Sequence, residues 1–330
     1  ENRLTMKDLS ELEDLYHGRL KHNLSSLEAS RKKILNKFLL SIFGAILSLL
    51  VLVLYFTNAD EPNAIIPIVI GLFLVFCLGI FIMAFKAKKI YRRQYKTEVV
   101  SEVVRAVNPD WNYDPDRKIM SSDYRKSDLF RRAYDKYEGD DFISGLIDKT
   151  DFECSELHTQ YKVVTYDKNG RRKEHWHTIF RGLFFHADFN KLFKGQTYVT
   201  PDYAEKIFGK WGQKFQKFSG KGSLVKLENP DFEKTFVVHS TDQIEARYIL
   251  TPAIMEALLR IKEEYKRPVH FSFIDSRVYC ALSFNNKLFE PKIVRSGVKF
   301  SDISSMYHLF LLNETIIKEL NLNTRIWTKK

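Results

Sequence analysis

Two long apolar runs stand out in the pattern of hydrophobic and polar positions along the 330-residue chain. Residues 38–56 read FLLSIFGAILSLLVLVLYF and residues 64–85 read AIIPIVIGLFLVFCLGIFIMAF, and neither run contains a charged side chain. About 20 apolar residues in a helix span the roughly 30 Å hydrocarbon core of a bilayer. The pattern therefore predicts transmembrane helices at 38–56 and 64–85, joined by an external loop at 57–63.

A helical period of three to four residues continues on both sides of this hairpin. Before it, residues 1–37 carry an apolar stripe of Leu9, Leu12, Tyr16, Leu20, Leu24 and Leu27. After it, residues 86–107 carry a second stripe of Tyr91, Tyr95, Val99, Val103 and Val107. We expect a cytoplasmic amphipathic helix at 1–37 and a cytoplasmic stalk helix at 86–107. The two either pack together as a stalk of roughly 30 Å, at 1.5 Å per residue, or lie separately on the membrane or the following domain.

Residues 108–330 change character and predict one cytoplasmic α+β domain. The prolines and turn formers of NPDWNYDPD, at 108–116, end the preceding helix. Three strand pairs follow, at 156–166 with 173–189, within 225–240 and within 270–284. Helical patterns separate them, at 202–218, 252–265 and 302–322. Strands that arrive as hairpins between single helices favour a mixed, largely antiparallel sheet with interleaved helices.

The first strand pair surrounds DKNG, whose Asn169-Gly170 dipeptide is a strong hairpin signal. A two-residue turn there would pair His177 with Lys162 and His175 with Val164. In that register the two histidines have no acidic or thiol neighbour to complete a metal site, and a longer loop that shifts the register by two adds none. We therefore expect surface or half-buried histidines.

Net charge is +11 and the sequence pI is about 9.3, which directs attention to anionic partners. Basic residues flank the hairpin, at Lys32, Lys33, Lys37, Lys86, Lys88, Lys89, Arg92 and Arg93. The loop between the runs holds Asp60 and Glu61 and no lysine or arginine. The positive-inside rule then places both termini in the cytoplasm. Much of the excess charge is thus topological, and no nucleic-acid partner is needed to explain it.

The first apolar run begins too far into the chain, and lacks a small-residue cleavage site, to be a removed signal peptide. Small residues on the runs, Gly44 with Ser48 and Gly71 with Gly79, would let helices approach closely in lipid. Neither run holds an ionisable group for ion or proton transport. The hairpin therefore reads as an anchor that could also form a homo-oligomer.

Three cysteines, Cys77, Cys154 and Cys280, lack metal-site spacing, and a cytoplasmic domain is kept reduced. We expect neither disulfides nor a metal ion. The chain has no phosphate-loop, dinucleotide, kinase or zinc motif, so no cofactor is expected.

Two acidic motifs are candidates for catalysis or cation binding. EGDD, at 138–141, places adjacent carboxylates together, and its alternative is a solvated tight turn. DQIEAR, at 242–247, has the spacing of a capping box, with Asp242 as the N-cap and Glu245 reaching back to it. We favour the structural role for both motifs and assign no catalytic residue.

The stretch IFGKWGQKFQKFSGKGS, at 207–223, combines glycines, lysines and aromatics. It is not a phosphate loop, because Phe215 stands where the first glycine is required. Its aromatics recur at helical spacing, and a basic strip runs beside them, at Lys206, Lys210, Lys214 and Lys217. This strip is either a solvated helix face or a face for anionic lipid or a partner.

The second half of the chain resembles a bacterial family catalogued as domain of unknown function 3137. The resemblance rests on FRGLFFHADFNKLFKGQTYVTPD at 180–202, on VKLENPDFEKTFVVHSTDQIEARYILTP at 225–252 and on SFIDSRVYCALSF at 272–284. It extends over roughly residues 85–330, and the family shares a membrane hairpin followed by one cytoplasmic domain. It implies a bacterial two-pass membrane protein without an assigned activity, and it supplies no catalytic residues.

These observations predict a membrane-anchored cytoplasmic binding or scaffold module of the bacterial inner membrane. Such a module would recruit or sense a protein or an anionic lipid. The alternatives are a membrane-tethered enzyme with an unrecognised carboxylate-based site, and an envelope scaffold that works through oligomerisation of its membrane helices.

Overall fold

The computed structural model describes residues 6–58, 64–202, 222–296 and 299–320. Within them the chain forms two compact units. The helical unit contains residues up to 106 and, from much later in the chain, residues 289–306. The sheet unit contains residues 107–288 and the residues that follow 306.

The helical unit is built from five consecutive helical segments. These are α1 (Met6–His17), α2 (Arg19–Asn58), α3 (Ile65–Tyr95), a π-helical turn (Lys96–Val100) and α4 (Ser101–Val107). α2 begins well before its apolar run and α3 continues past the end of its own. Outside the runs most positions of the two stripes are buried, namely Leu12, Leu20, Leu24, Leu27, Tyr91, Tyr95, Val99 and Val103. The two stripes thus form the interior of this unit outside the apolar runs.

Among the described residues, the sheet unit contains one sheet of nine antiparallel strands, in the order β1-β2-β3-β4-β9-β8-β5-β7-β6. The strands are β1 (Asn112–Asp114), β2 (Lys136–Ile147), β3 (Thr150–Tyr166), β4 (Arg172–Asp188), β5 (Thr197–Pro201), β6 (Ser223–Leu224), β7 (Phe236–Ser240), β8 (Val269–Ile274) and β9 (Arg277–Ser283). The predicted α+β class, with two long apolar helices before an antiparallel sheet, is confirmed.

The turn between β3 and β4 is one residue longer than the sequence predicts. Gly170 N donates to Asp167 O at 2.9 Å, and Asp167 N donates to Arg171 O at 3.0 Å. Gly170 adopts a φ of +72°, as glycine does after a type I turn in a three-residue hairpin loop. The Asp167 side chain also accepts from Asn169 N, which starts the turn at the aspartate. Consequently Tyr161, and not Lys162, lies opposite His177.

The strand pair predicted within 270–284 is present, whereas the pair predicted within 225–240 is not, because β7 pairs with β5 and with β6, which precedes that range. β8 and β9 form a tight hairpin in which Ile274 pairs with Arg277. Asp275, at a φ of +56°, lies in its two-residue turn. β6 and β7 also pair, but the short helix α6 (Pro230–Thr235) separates them, so they do not form a simple hairpin.

Helices flank the sheet: α5 (Ser121–Lys126), α7 (Gln243–Ile249), α8 (Pro252–Tyr265) and α9 (Phe300–Glu319). The Thr251 side chain accepts from Ile254 N at the start of α8, as an N-cap threonine before a proline does. On one sheet face Tyr124 of α5 packs among Phe184, Tyr279 and other buried side chains. In the sheet unit α8 also contacts α9, because Tyr265 Oη donates to His308 O at 3.2 Å.

Candidate functional site

The apolar halves of α2 and α3 present a large hydrophobic surface. Their outward-facing side chains are mostly exposed; Leu40, Phe43 and Leu72 expose 62%, 66% and 66% of their area. Both helices are long and apolar enough to cross a membrane. Soluble proteins rarely expose a contiguous apolar surface of this extent.

The two helices meet along a strip of small residues. Ser41, Gly44 and Ser48 of α2 are buried, as are Cys77 and Ala84 of α3. Ser48 Oγ donates to Gly44 O at 2.7 Å, so the hydroxyl does not need a solvent partner. A Cβ atom on Gly44 would lie 2.8 Å from Cys77 Sγ, which means that only glycine permits this approach.

The predicted small face on α3 is not part of this contact. Val75 and Gly79 are exposed, and a Cβ atom on Gly71 or Gly79 would meet no described atom within 4 Å. The face formed by Gly71, Val75 and Gly79 is therefore distinct from the strip that joins α2 to α3.

The predicted flanking cations lie on the helices that extend past the apolar runs. Most are exposed, namely Lys32, Lys33, Lys37, Lys86, Lys88, Lys89 and Arg93. Arg92 differs, because its Nε lies 2.8 Å from Glu290 Oε1. Arg92 thus has a carboxylate partner within the helical unit.

A second set of polar contacts lies at this end of the helices, and no sequence pattern predicted it. The segment that contains Glu290 and Ile293 follows all nine strands in sequence, yet it belongs to the helical unit. Lys96, only 2% exposed, lies 3.8 Å from Glu290 Oε1. Arg31 donates to Ile293 O at 2.6 Å and is paired with Glu28. Part of the flanking charge is thus structural.

The sequence favoured a solvated tight turn for EGDD, and the structure shows that this prediction is wrong. The motif lies in β2 at a bulge between Asp140 and Ile143, and Asp141 has a φ of +58°. Asp140 pairs with Glu156 of β3, and the carboxylate oxygens of Asp140, Asp141 and Glu156 lie within 4.8 Å of one another. Asp141 and Glu156 are buried, and Glu156 was not identified from the sequence.

Each carboxylate of this cluster has a partner in another segment. Tyr113 Oη donates to Asp141 Oδ1 at 2.5 Å, and Leu288 N donates to Glu156 Oε2 at 2.9 Å. Lys287 Nζ lies 3.8 Å from Asp140 Oδ2. The cluster therefore holds β1 and the segment after β9 against β2 and β3, a structural role that explains its burial.

The DQIEAR motif caps a helix, as predicted, but its glutamate acts elsewhere. Asp242 accepts from Ile244 N and Glu245 N at the start of α7. Glu245 does not reach back to Asp242 in a capping box; its carboxylate accepts from Lys194 N and Gly195 N at 3.1 and 2.6 Å. The motif fixes the loop before β5 and supplies no free acid or base.

A buried histidine that the sequence did not single out lies among charged residues of three strands. His186 Nε2 lies 3.2 Å from Glu153 Oε2, and Arg277 Nη1 donates to His186 Nδ1 at 2.9 Å. Arg277 also donates to Asp151 Oδ2 at 2.7 Å. The hydrogen bond from His186 holds the pKa of Glu153 below its ordinary value. The Nδ1 atom of His186 is thus taken by Arg277, and its Nε2 atom lies beside the Glu153 carboxylate.

The two histidines of the HWH motif lie on the exposed part of β4. His177 stacks on Tyr161, with ring centroids 5.0 Å apart. His175 pairs with Val163. The expectation of surface histidines is confirmed, although the cross-strand neighbours differ from those the sequence suggested.

Lys206, Lys210, Lys214 and Lys217 lie outside the described residues. The helix expected at 202–218 and its basic strip therefore stay predictions. The three cysteines are all buried, and none forms a disulfide.

Comparison with known proteins identifies the second half of the chain. The sequence model of the family described as Protein of unknown function (DUF3137) matches residues 178–322. Residues 178–322 are therefore similar to the DUF3137 family. The match confirms the resemblance seen in the sequence from residue 178, which lies in β4, to residue 322. The apolar helices and strands β1 to β3 lie before it.

Other comparisons add little. No curated protein sequence matches the chain. Among solved structures, the crystal structure of the mycobacterial trehalose monomycolate transport factor A, TtfA, is similar over 72% of this chain and 97% of that chain. The sequence identity is 9% and the TM-score is 0.31, so nothing about this chain is argued from that similarity.

Proposed function

We propose that this chain is a two-pass protein of the bacterial inner membrane whose cytoplasmic DUF3137 domain binds a partner at the membrane surface. In this proposal, α2 and α3 cross the bilayer at 38–56 and 64–85, and the loop 57–63 is external. Both termini and the sheet unit lie in the cytoplasm. The protein works as a binding or scaffold module for a protein or an anionic lipid.

The observation that carries this proposal is the exposed apolar surface of α2 and α3. Leucine, isoleucine, phenylalanine and valine each favour insertion at the centre of a membrane helix by about 0.3–0.6 kcal/mol. Summed over either apolar run, that preference favours insertion into the bilayer. Neither run contains a charged side chain whose desolvation would oppose insertion. The exposed lysines at both cytoplasmic ends add attraction to anionic headgroups.

Support for a binding role comes from the polar groups of the sheet unit. The carboxylates of EGDD and DQIEAR, which an enzyme of this kind would use, accept hydrogen bonds from Tyr113, Lys194 and Gly195. These contacts favour structural roles over acid–base chemistry. The face of Gly71 and Gly79, of which Gly79 is exposed, offers a surface for a second copy, because small residues permit close helix packing in lipid.

Membrane insertion is tested by extracting native membranes with alkaline carbonate. We expect the full chain to stay in the pellet, and release into the supernatant would contradict the anchor. The partner is tested by photo-crosslinking from exposed positions of the sheet unit in cells, with probes on α3 as the comparison. Crosslinks that form only between copies through α3 would favour the oligomeric scaffold over a binding module.

A further inference from the structure

Strands β3 and β4 extend beyond the rest of the sheet. The pairing of β2 with β3 ends at Gln160, and the pairing of β4 with β9 ends at Gly182. Among the strands that the structure describes, residues 161–177 pair only with one another. We call residues 161–177 the hairpin arm. Its six pairs, from Tyr161 with His177 to Tyr166 with Arg172, give a ribbon of roughly 20 Å at about 3.3 Å per residue.

Cation–π and stacking contacts hold the base of the hairpin arm. Arg132 lies over the ring of Tyr161, 3.3 Å from its centroid, and Tyr161 stacks on His177. On the other face Lys136 lies 4.1 Å from the centroid of Trp176. A two-stranded ribbon is only marginally stable by itself in water, so these contacts orient the arm relative to the sheet.

The tip of the hairpin arm is strongly basic. Lys168, Arg171, Arg172 and Lys173 surround the turn, and Asp167 is the acidic residue among them. The Asp167 carboxylate is used locally, since it accepts from backbone nitrogens of the turn. Every residue from 171 to 177 is exposed. Two of these cations also have an acidic neighbour on the arm, since Arg172 Nη2 lies 2.7 Å from Glu174 Oε1 and Lys173 Nζ lies 3.7 Å from Asp167 Oδ2. The cations still outnumber the two carboxylates, so the protruding turn keeps an excess of positive charge.

One face of the hairpin arm combines this charge with exposed apolar groups. Trp176, Val164 and Tyr166 expose 37%, 37% and 70% of their area. Trp176 lies opposite Lys162 and Tyr166 lies opposite Arg172, which places all of them on the same side of the ribbon. Glu174, opposite Val164, lies on this side as well and pairs with Lys162 and Arg172, so the net charge of the face is +1. Tyr166, the most exposed of the three, is also the nearest to the basic turn.

We propose that the hairpin arm docks by its tip onto an anionic lipid surface. Tryptophan and tyrosine favour the headgroup region, where an apolar ring and a polar edge are both satisfied. Lysine and arginine close to anionic headgroups strengthen the contact. A short convex tip suits a flat surface better than the groove of a nucleic acid, along which a basic ribbon would need to lie. The proposal rests on the proposed anchor, which would hold the arm near headgroups at high local concentration.

The test uses the full chain in lipid nanodiscs with an environment-sensitive fluorophore on Asn169→Cys, at the tip of the arm. The native cysteines are buried and should not react with the label. Discs of phosphatidylcholine are compared with discs that also contain phosphatidylglycerol, at low and high salt. We expect a blue shift and a gain in emission only in the anionic discs, and loss of both at high salt.

Charge neutralisation provides the matched comparison. We expect Lys168→Gln, Arg171→Gln and Arg172→Gln together to lower the ratio of docked to free arm on the order of 100-fold. The control removes three exposed lysines elsewhere on the sheet unit, Lys149, Lys226 and Lys234, and should leave the signal in place. It keeps the same net charge as the test variant.

The outcomes separate the arm from the anchor. A chain that enters discs but gives the same emission in both lipids, or a control triple as defective as the tip triple, would overturn the proposal and leave the anchor standing. A chain that fails to enter discs contradicts the anchor itself. If the label responds to added duplex DNA and not to phosphatidylglycerol, the occupant is nucleic acid and the proposal is wrong.

Discussion

Cys154 and Cys280 lie on either side of Phe185 in the middle of the sheet. Burial raises the pKa of both thiols well above the ordinary value, so little thiolate forms near neutral pH. We predict that neither thiol reacts with a maleimide in the folded protein at pH 8, whereas both react once denaturant is added. Mass spectrometry of the labelled peptides measures this.

The variant Asn169→Cys supplies an exposed thiol in the same molecule for comparison. It should react within the time in which Cys154 and Cys280 stay unlabelled. Rapid native labelling of either buried cysteine would show that the centre of the sheet opens locally, and would contradict the burial described here.

Glu153 contributes to acid sensitivity at the residue scale. The hydrogen bond from His186 lowers the pKa of this carboxyl in the folded state below the ordinary 4.5. Its ionised form therefore stabilises the fold above that value, and the contribution is lost as pH falls through the lower folded pKa. We predict that Glu153→Gln flattens the decline of the unfolding midpoint as pH falls below 4.5. Thermal unfolding of the solubilised full chain at several pH values measures the slope.

The size of that change is limited, because the Glu153 side chain is 38% exposed and solvent screens the pair. Glutamine keeps an acceptor for His186 Nε2 and removes only the charge. Glu138→Gln, at an exposed position of β2, is the control and should leave the slope as it is. An unchanged slope in Glu153→Gln would rule out this pair as a source of acid sensitivity.

At the scale of elements, the contact strip between α2 and α3 predicts that leucine substitutions at Gly44 and Gly79 differ in their effect on stability. Gly44→Leu places atoms where Cys77 Sγ and Phe73 already lie, so we expect overpacking to destabilise the helix pair by about 1–3 kcal/mol. Gly79→Leu is the matched control, since a Cβ atom there meets no described atom within 4 Å. Thermal unfolding in detergent compares the two.

A loss of stability in both variants would mean that α3 packs through its other face. Unchanged stability in Gly79→Leu with loss of crosslinked oligomers would instead assign that face to contacts between copies. The two readouts are independent, because one reports the fold of a single chain and the other its association.

The elements show how far local sequence signals reach. The long helices, the hairpins at 169–170 and 275–276, and the caps at Asp242 and Thr251 could be predicted because each depends on residues only a few positions apart. The register of β3 and β4 could not be predicted in the same way. It depends on whether the loop has two or three residues, and that depends on whether Asp167 begins the turn. One residue of difference exchanged Lys162 for Tyr161 opposite His177.

Other features depended on contacts between distant residues. EGDD reads locally as a turn, yet it lies in a twelve-residue strand, because its carboxylates find Tyr113 and Lys287 far along the chain. A carboxylate cluster requires the pairing of Asp140 with Glu156, which a linear motif does not reveal. The contact of Glu290 with Lys96 crosses almost the whole sheet unit in sequence, and no periodic pattern marks it.

At the scale of the whole molecule, the exposed cations are expected to set the orientation of the chain in the membrane. We predict that a carboxy-terminal fusion of green fluorescent protein fluoresces and that a fusion of alkaline phosphatase at the same position is inactive. Changing Lys32, Lys33, Lys37, Lys86, Lys88 and Lys89 to glutamine should raise phosphatase activity. This increase is expected because lysines next to membrane helices keep the segments that carry them in the cytoplasm.

The comparison variant changes six exposed lysines of the sheet unit and keeps the flanks. Phosphatase activity in the wild-type fusion would place the DUF3137 domain outside the cytoplasm and contradict the proposed topology. Arg92 is left unchanged in both variants, because removal of its contact with Glu290 would mix stability with orientation.

The helical unit is assembled from two parts of the chain separated by the whole sheet. During synthesis α2 and α3 leave the ribosome roughly 200 residues before Glu290 and Ile293, so the carboxylate near Lys96 and the carbonyl near Arg31 arrive last. The membrane-proximal helices can therefore be completed only after the sheet has been translated. If α2 and α3 insert as proposed, a message truncated before residue 289 would leave a helical unit that lacks these two contacts.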